Sequence, residues 1–113
     1  MKKYFFLAFL LPFILLGCKK SGIASGTPKC VEHKIEDFSK MSITDNGANV
    51  KKYKFQENTV YVFDPGNSGA DITSEVIDSD CNTLGFLGGI TGNTIIKGQD
   101  FSNATFIKIV WEK

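Results

Sequence analysis

The alternation of apolar and polar positions divides the chain into unlike pieces. Positions 4–16 (YFFLAFLLPFILL) form an unbroken apolar run with no alternation at all. Between 29 and 41 the apolar residues Val31, Ile35 and Phe38 recur at i, i+4 and i+7, the stripe of a helix. Thr27 is placed to cap that helix, and Pro28 suits its first turn. After the breaker Asp45-Asn46-Gly47, positions 50–55 (VKKYKF) place Tyr53 and Phe55 on one face of a strand. Positions 59–63 (TVYVF) are β-branched or aromatic throughout, which suits a central strand, and Gln56-Glu57-Asn58 turns the two into a hairpin.

Further short strands are expected at 75–77, 83–87, 94–96 and 105–111, separated by the loops DPGNSG (64–69) and GGITGN (88–93). In the last strand Ile107, Ile109 and Trp111 share a face by period two. The pattern predicts an α+β domain. One N-terminal helix packs on a small antiparallel sheet of four to six short strands, with one disulfide.

The apolar run has a different meaning. Thirteen residues of helix span about 20 Å, short of the roughly 30 Å hydrocarbon core of a bilayer. Lys2 and Lys3 precede the run, and Leu15-Leu16-Gly17-Cys18 ends it. This order of positive, apolar and small residues reads as a secretory signal. Its end resembles the lipobox of bacterial lipoproteins, in which a diacylglycerol is attached to the thiol, here Cys18, and the chain is cut before it. Two or more acyl chains make a stable anchor. Three segments are therefore expected: a signal peptide at 1–17, a lipidated Cys18 with a flexible linker at 18–28, and the folded domain at 29–113. The Gly/Ser/Lys-rich stretch 19–27 would reach about 17 Å and hold the domain clear of the headgroups. Lys19 and Lys20 follow the cysteine where an inner-membrane retention signal would be acidic. An outer-membrane, periplasm-facing location is the expectation.

Composition sharpens this. The whole chain carries a net charge of +1, but Lys2 and Lys3 belong to the signal, so the mature chain is slightly acidic at −1. Arginine is absent. Bidentate recognition of phosphate is thereby lost, and no nucleic-acid partner is expected. Of the three cysteines, Cys18 goes to lipid and Cys30 and Cys81 remain as a pair. Outside the cytoplasm such a pair reads as a disulfide. One histidine and two cysteines do not make a zinc site.

Candidate chemistry is sparse. His33 is the only histidine, and it falls on the side of the helix away from Val31. No Ser-His-Asp arrangement can be assembled without a placed histidine. The acids Asp64, Asp71, Glu75, Asp78 and Asp80 crowd together, and Asp78-Ser79-Asp80-Cys81-Asn82 imitates the opening of a calcium loop. Thr83 and Gly89 stand where that loop needs Gly and Glu, so Asp71, Asp78 and Asp80 are weak metal candidates only. Positions 85–93 lack the Lys of a phosphate loop. Their apolar residues Phe86, Leu87 and Ile90 form a candidate interaction patch. Asn103-Ala104-Thr105 matches a glycosylation sequon but is read as chance.

Several of these residues also carry a family likeness. The chain resembles a family of small uncharacterised bacterial lipoproteins in Cys18, Cys30, Val60-Tyr61, Cys81, the Gly88-Gly89-Ile90-Thr91-Gly92 loop, Asp100-Phe101 and Trp111. Relatives in that family carry further cysteines near 67–70 and just before the Asp-Phe pair. Here those places hold Ser68, Gly69 and Gln99, which fits the loss of one disulfide. The resemblance implies a fold and no reaction. The expected function is a lipid-anchored envelope protein, non-enzymatic, with no cofactor, that binds an envelope protein partner or plays a structural role. An inhibitor of an envelope protease or lysozyme is one alternative. A calcium-dependent binder or small hydrolase using the 64–80 acids is the other.

Overall fold

A computed structural model describes residues 22–67 and 71–113. The segment 1–21, with the signal and Cys18, lies outside the described residues, as do Ser68 and Gly69. One helix, α1 (Lys29–Ser39), precedes seven strands. These are β1 (Asn49–Phe55), β2 (Asn58–Asp64), β3 (Thr73–Asp78), β4 (Thr83–Gly88), β5 (Ile95–Ile96), β6 (Gln99–Asp100) and β7 (Thr105–Glu112). Five of them form one antiparallel sheet in the order β4-β3-β2-β1-β7, and β5 and β6 form a separate two-stranded hairpin. The expected helix on an antiparallel sheet is present, although strands make up most of the domain. The second small sheet was not expected.

The two faces of the large sheet explain the apolar strand β2. On one face, Tyr61 and Phe63 of β2 pack with Val50, Ile77, Trp111 and the helix residues Val31 and Ile35. Phe38 joins them edge-on, 5.2 Å from Phe63 and 6.0 Å from Trp111 between ring centroids. On the other face, Val60 and Val62 pack with Phe55, Val76 and Ile96 of the small hairpin. Phe101 completes that layer, 4.9 Å from Phe55 and 5.0 Å from Tyr53. A strand covered on both faces has no polar side to show, so its pattern is continuous rather than alternating.

Three expectations need correction. Thr27 does not cap α1: its hydroxyl donates to the Ala24 carbonyl at 2.7 Å, and Pro28 occupies the cap position. The stretch before the helix is not wholly a free linker. Ile23 is 1% exposed within the main core, and the Ala24 N–H donates to the Val110 carbonyl at 2.9 Å. Ordered structure therefore begins at least six residues before position 29. Nor do Ile107, Ile109 and Trp111 share one environment. Pairing with β1 slips twice, so that Val50 faces Trp111, Lys51 faces Ile109 and Tyr53 faces Phe106. Each slip is a bulge that inserts a residue and breaks the period of two. Val110 and Trp111 are buried side by side, while Ile107 and Ile109 stay exposed.

Cys30 and Cys81 are joined by a disulfide, with their Cα atoms 6.2 Å apart. The bond ties the first turn of α1 to the β3–β4 turn. At the other end of the helix, the Lys113 ammonium donates to the Ser39 carbonyl and the Thr44 hydroxyl, both at 2.8 Å, and lies 2.9 Å from Asp45. A cation there complements the negative end of the helix dipole.

Candidate functional site

The helix covers only part of its sheet face. Beyond Ile35 the helix surface and strands β2, β3 and β4 diverge, leaving a groove of about 400 Å³. Phe38, Met41, Ile43, Phe63, Pro65 and Phe86 line it with apolar surface. Met41 and Phe86 are each about half exposed. Lys34 and Glu75 stand at its rim, 3.2 Å apart. The Thr83 hydroxyl donates to the second Glu75 oxygen at 2.6 Å, which fixes the carboxylate. The Lys34 ammonium also lies 5.8 Å from the Phe63 ring centroid, a cation–π distance. Apolar walls with a few fixed polar groups are the usual make-up of a small binding cleft.

The expected patch of Phe86, Leu87 and Ile90 does not hold together. Neighbouring strand residues point to opposite faces. Phe86 enters the groove, whereas Leu87 packs on the far face with Val60 and Ile96. Ile90 stands at the loop tip, 85% exposed. Met41 and Ile43, from the connection after α1, and Thr73, at the start of β3, join the groove without any sequence signal, because only the fold brings them together.

The acidic residues are also separated by the fold. Asp78 accepts hydrogen bonds from the Asp80 and Asn82 N–H groups, both at 2.9 Å, and from the Asn82 side-chain amide at 3.1 Å. These bonds, led by the Asn82 N–H, hold its carboxyl below the usual carboxylate range. Asp64 likewise accepts from the Gly66 N–H at 2.8 Å. Asp100 accepts from the Ser102 N–H at 2.9 Å, which lowers its pKa too. Each of these carboxylates stabilises its own turn. Among the described residues no group of three His, Cys, Asp or Glu side chains gathers to hold a metal ion. His33 points outward, its side chain 71% exposed and 3.9 Å from Glu36.

The motifs of the resemblance have structural work in this fold. Val60 and Tyr61 fill opposite cores, Phe101 closes the second core, and Asp100 caps a short 3₁₀ turn. Gly88 at the end of β4 and Gly89 and Gly92 in the loop after it all take positive φ. No curated protein and no solved structure matches the chain. Residues 36–113, which hold all seven strands and most of the groove lining, match the model of the domain of unknown function DUF6970, and the chain belongs to that family.

Proposed function

We propose that this is a lipid-anchored cell-envelope protein, held through Cys18, whose domain binds an envelope protein partner and catalyses no reaction. The observation that carries the binding reading is the apolar groove between α1 and β3–β4, with Phe86 and Met41 half exposed beside a fixed Lys34–Glu75 pair. The lipobox at 15–18 supports the anchor, and the outer membrane, periplasm-facing, is the location it favours. The acids fit the same reading, because Asp64, Asp78 and Asp100 are engaged in turns. His33, alone in the chain, faces solvent.

Two measurements test the proposal. Palmitate labelling in cells should reach the wild-type chain and vanish with Cys18→Ala; labelling that survives removes the anchor. A photo-crosslinker placed beside the groove should capture one envelope protein. Phe86→Asp should reduce that capture about tenfold or more, the effect of losing a well-packed aromatic contact. Unchanged capture by a folded Phe86→Asp variant removes the groove as the binding surface.

A further inference from the structure

We infer that the groove between α1 and strands β3–β4 receives a basic amphipathic helix of its partner, one that buries apolar side chains in the cleft and sets a Lys or Arg against Asp37. This rests on the groove of the proposed function and names the chemistry of what fills it. The helix wall of the groove comes from Lys34, Asp37 and Phe38, at i, i+3 and i+4 on one side of α1. The facing wall includes Phe63 of β2, Glu75 of β3 and Phe86 of β4.

The charges of this lining differ in how they are used. Lys34 and Glu75 lie 3.2 Å apart across the cleft, and the other Glu75 oxygen accepts from the Thr83 hydroxyl at 2.6 Å. Those two groups satisfy each other. Asp37 is exposed, and among the described residues no lysine or histidine lies within ion-pair distance of it. Lys34 and Glu75 cancel, so Asp37 leaves the lining with one net negative charge beside an apolar floor. A carboxylate so placed favours a cation on whatever seats itself there and disfavours an anion.

The backbone of β4 decides the form of the occupant. β4 ends the sheet order, and a free edge would invite an added strand. Its outward groups are already used. The Phe86 carbonyl accepts from the Asn93 side-chain amide at 2.7 Å, and Gly88 exchanges both of its backbone bonds with Asn93, at 2.8 and 3.0 Å. A strand laid along β4 would have to displace Asn93. A helix brings its own backbone hydrogen bonds and avoids that competition. It enters the cleft by side chains alone, at i, i+3 and i+4, as amphipathic helices do in apolar grooves. A volume of about 400 Å³ gives room for a few large side chains.

The test uses the chain from 18 to 113 with Cys18→Ala, which keeps every described residue and needs no detergent. The probes are two labelled synthetic helices of about 16 residues, with identical leucine stripes and either lysine or glutamate on the flanks. Fluorescence anisotropy at low salt should show the lysine helix binding about five-fold tighter. Asp37→Lys should invert that order. Asp80→Lys, the same change of net charge in the exposed β3–β4 turn, should leave it standing. Phe86→Asp should weaken both helices about tenfold or more. Equal binding of the two helices, or an order that Asp37→Lys and Asp80→Lys alter alike, overturns the basic partner; a loss with Phe86→Asp then still supports the groove. Binding of neither helix overturns a helical occupant, and the crosslinking capture decides the groove by itself. Binding that Phe86→Asp leaves unchanged removes the groove and its occupant together.

Discussion

Asp78 commits both carboxylate oxygens to the β3–β4 turn, next to the cysteine that closes the disulfide. That turn needs help, because Cys81 has a positive φ of 67°. Replacing Asp78 with Ala should lower stability by about 1 kcal/mol or slightly more at neutral pH, measured by urea unfolding. The pH dependence has a definite sign. The folded pKa of Asp78 lies below its unfolded value, so its contribution is complete above the unfolded value and is lost as pH falls through the folded one. Below about pH 4 the wild type should therefore lose stability more steeply than Asp78→Asn. Parallel acid limbs would show that the turn does not depend on the charge. A second residue-scale strain lies in the β1–β2 turn, where Gln56 and Glu57 take φ of 53° and 66°. Two-residue hairpin turns of this kind prefer Asn-Gly. Glu57→Gly should raise stability by about 0.5–1 kcal/mol, visible as a higher melting temperature.

At the scale of elements, the loop after β2 is locked to the one before β1. Asn46 and Gly66 form a parallel bridge, and the Asn67 N–H donates to the Asn46 carbonyl at 2.8 Å. A Cβ on Gly66 would clash with the Asn46 carbonyl oxygen and lie 2.8–2.9 Å from the backbone of Gly47 and Ala48. Gly92 also has positive φ but faces open space. Gly66→Ala should thus cost more than Gly92→Ala, by about 2 kcal/mol, since only the first forces two backbones apart. Equal melting temperatures for the two variants would show that the bridge is not maintained. These elements also mark what could be read from sequence. The helix stripe of Val31 and Ile35 and the doubly covered strand β2 were legible, because each pattern has one structural meaning. The bulges of β7 were not. A period-two reading assigned Ile107, Ile109 and Trp111 to one face, and nothing local marks where a residue is inserted. The β5–β6 hairpin was half visible, since Ile95-Ile96 reads as a strand while Gln99-Asp100 has no strand propensity.

At the scale of the molecule, the disulfide and the groove follow the same division. The pairing of Cys30 with Cys81 followed from counting cysteines once Cys18 was set aside. The groove could not be anticipated: its lining comes from α1, the connection after it, β2, β3 and β4, which meet only through the sheet order. The bond spans 51 positions, and in the chain-entropy account a loop of that size is worth about 4 kcal/mol. The Cys30→Ser, Cys81→Ser double variant should lose most of that in urea unfolding. A loss under about 1 kcal/mol would show that the unfolded chain is already restricted without the bond.

The union of Ile23 and Ala24 with β7 also sets an order of events during synthesis. Ala24, next to the buried Ile23, finds its hydrogen-bond partner, the Val110 carbonyl, on the strand that leaves the ribosome after every other strand of the sheet. Trp111, whose ring completes the core beneath α1, arrives with it. Until those residues emerge, β1 has one partner instead of two, and Ile23 has no carbonyl for its neighbour to meet. The main core beneath α1 is therefore completed only when the last strand of the sheet has been made.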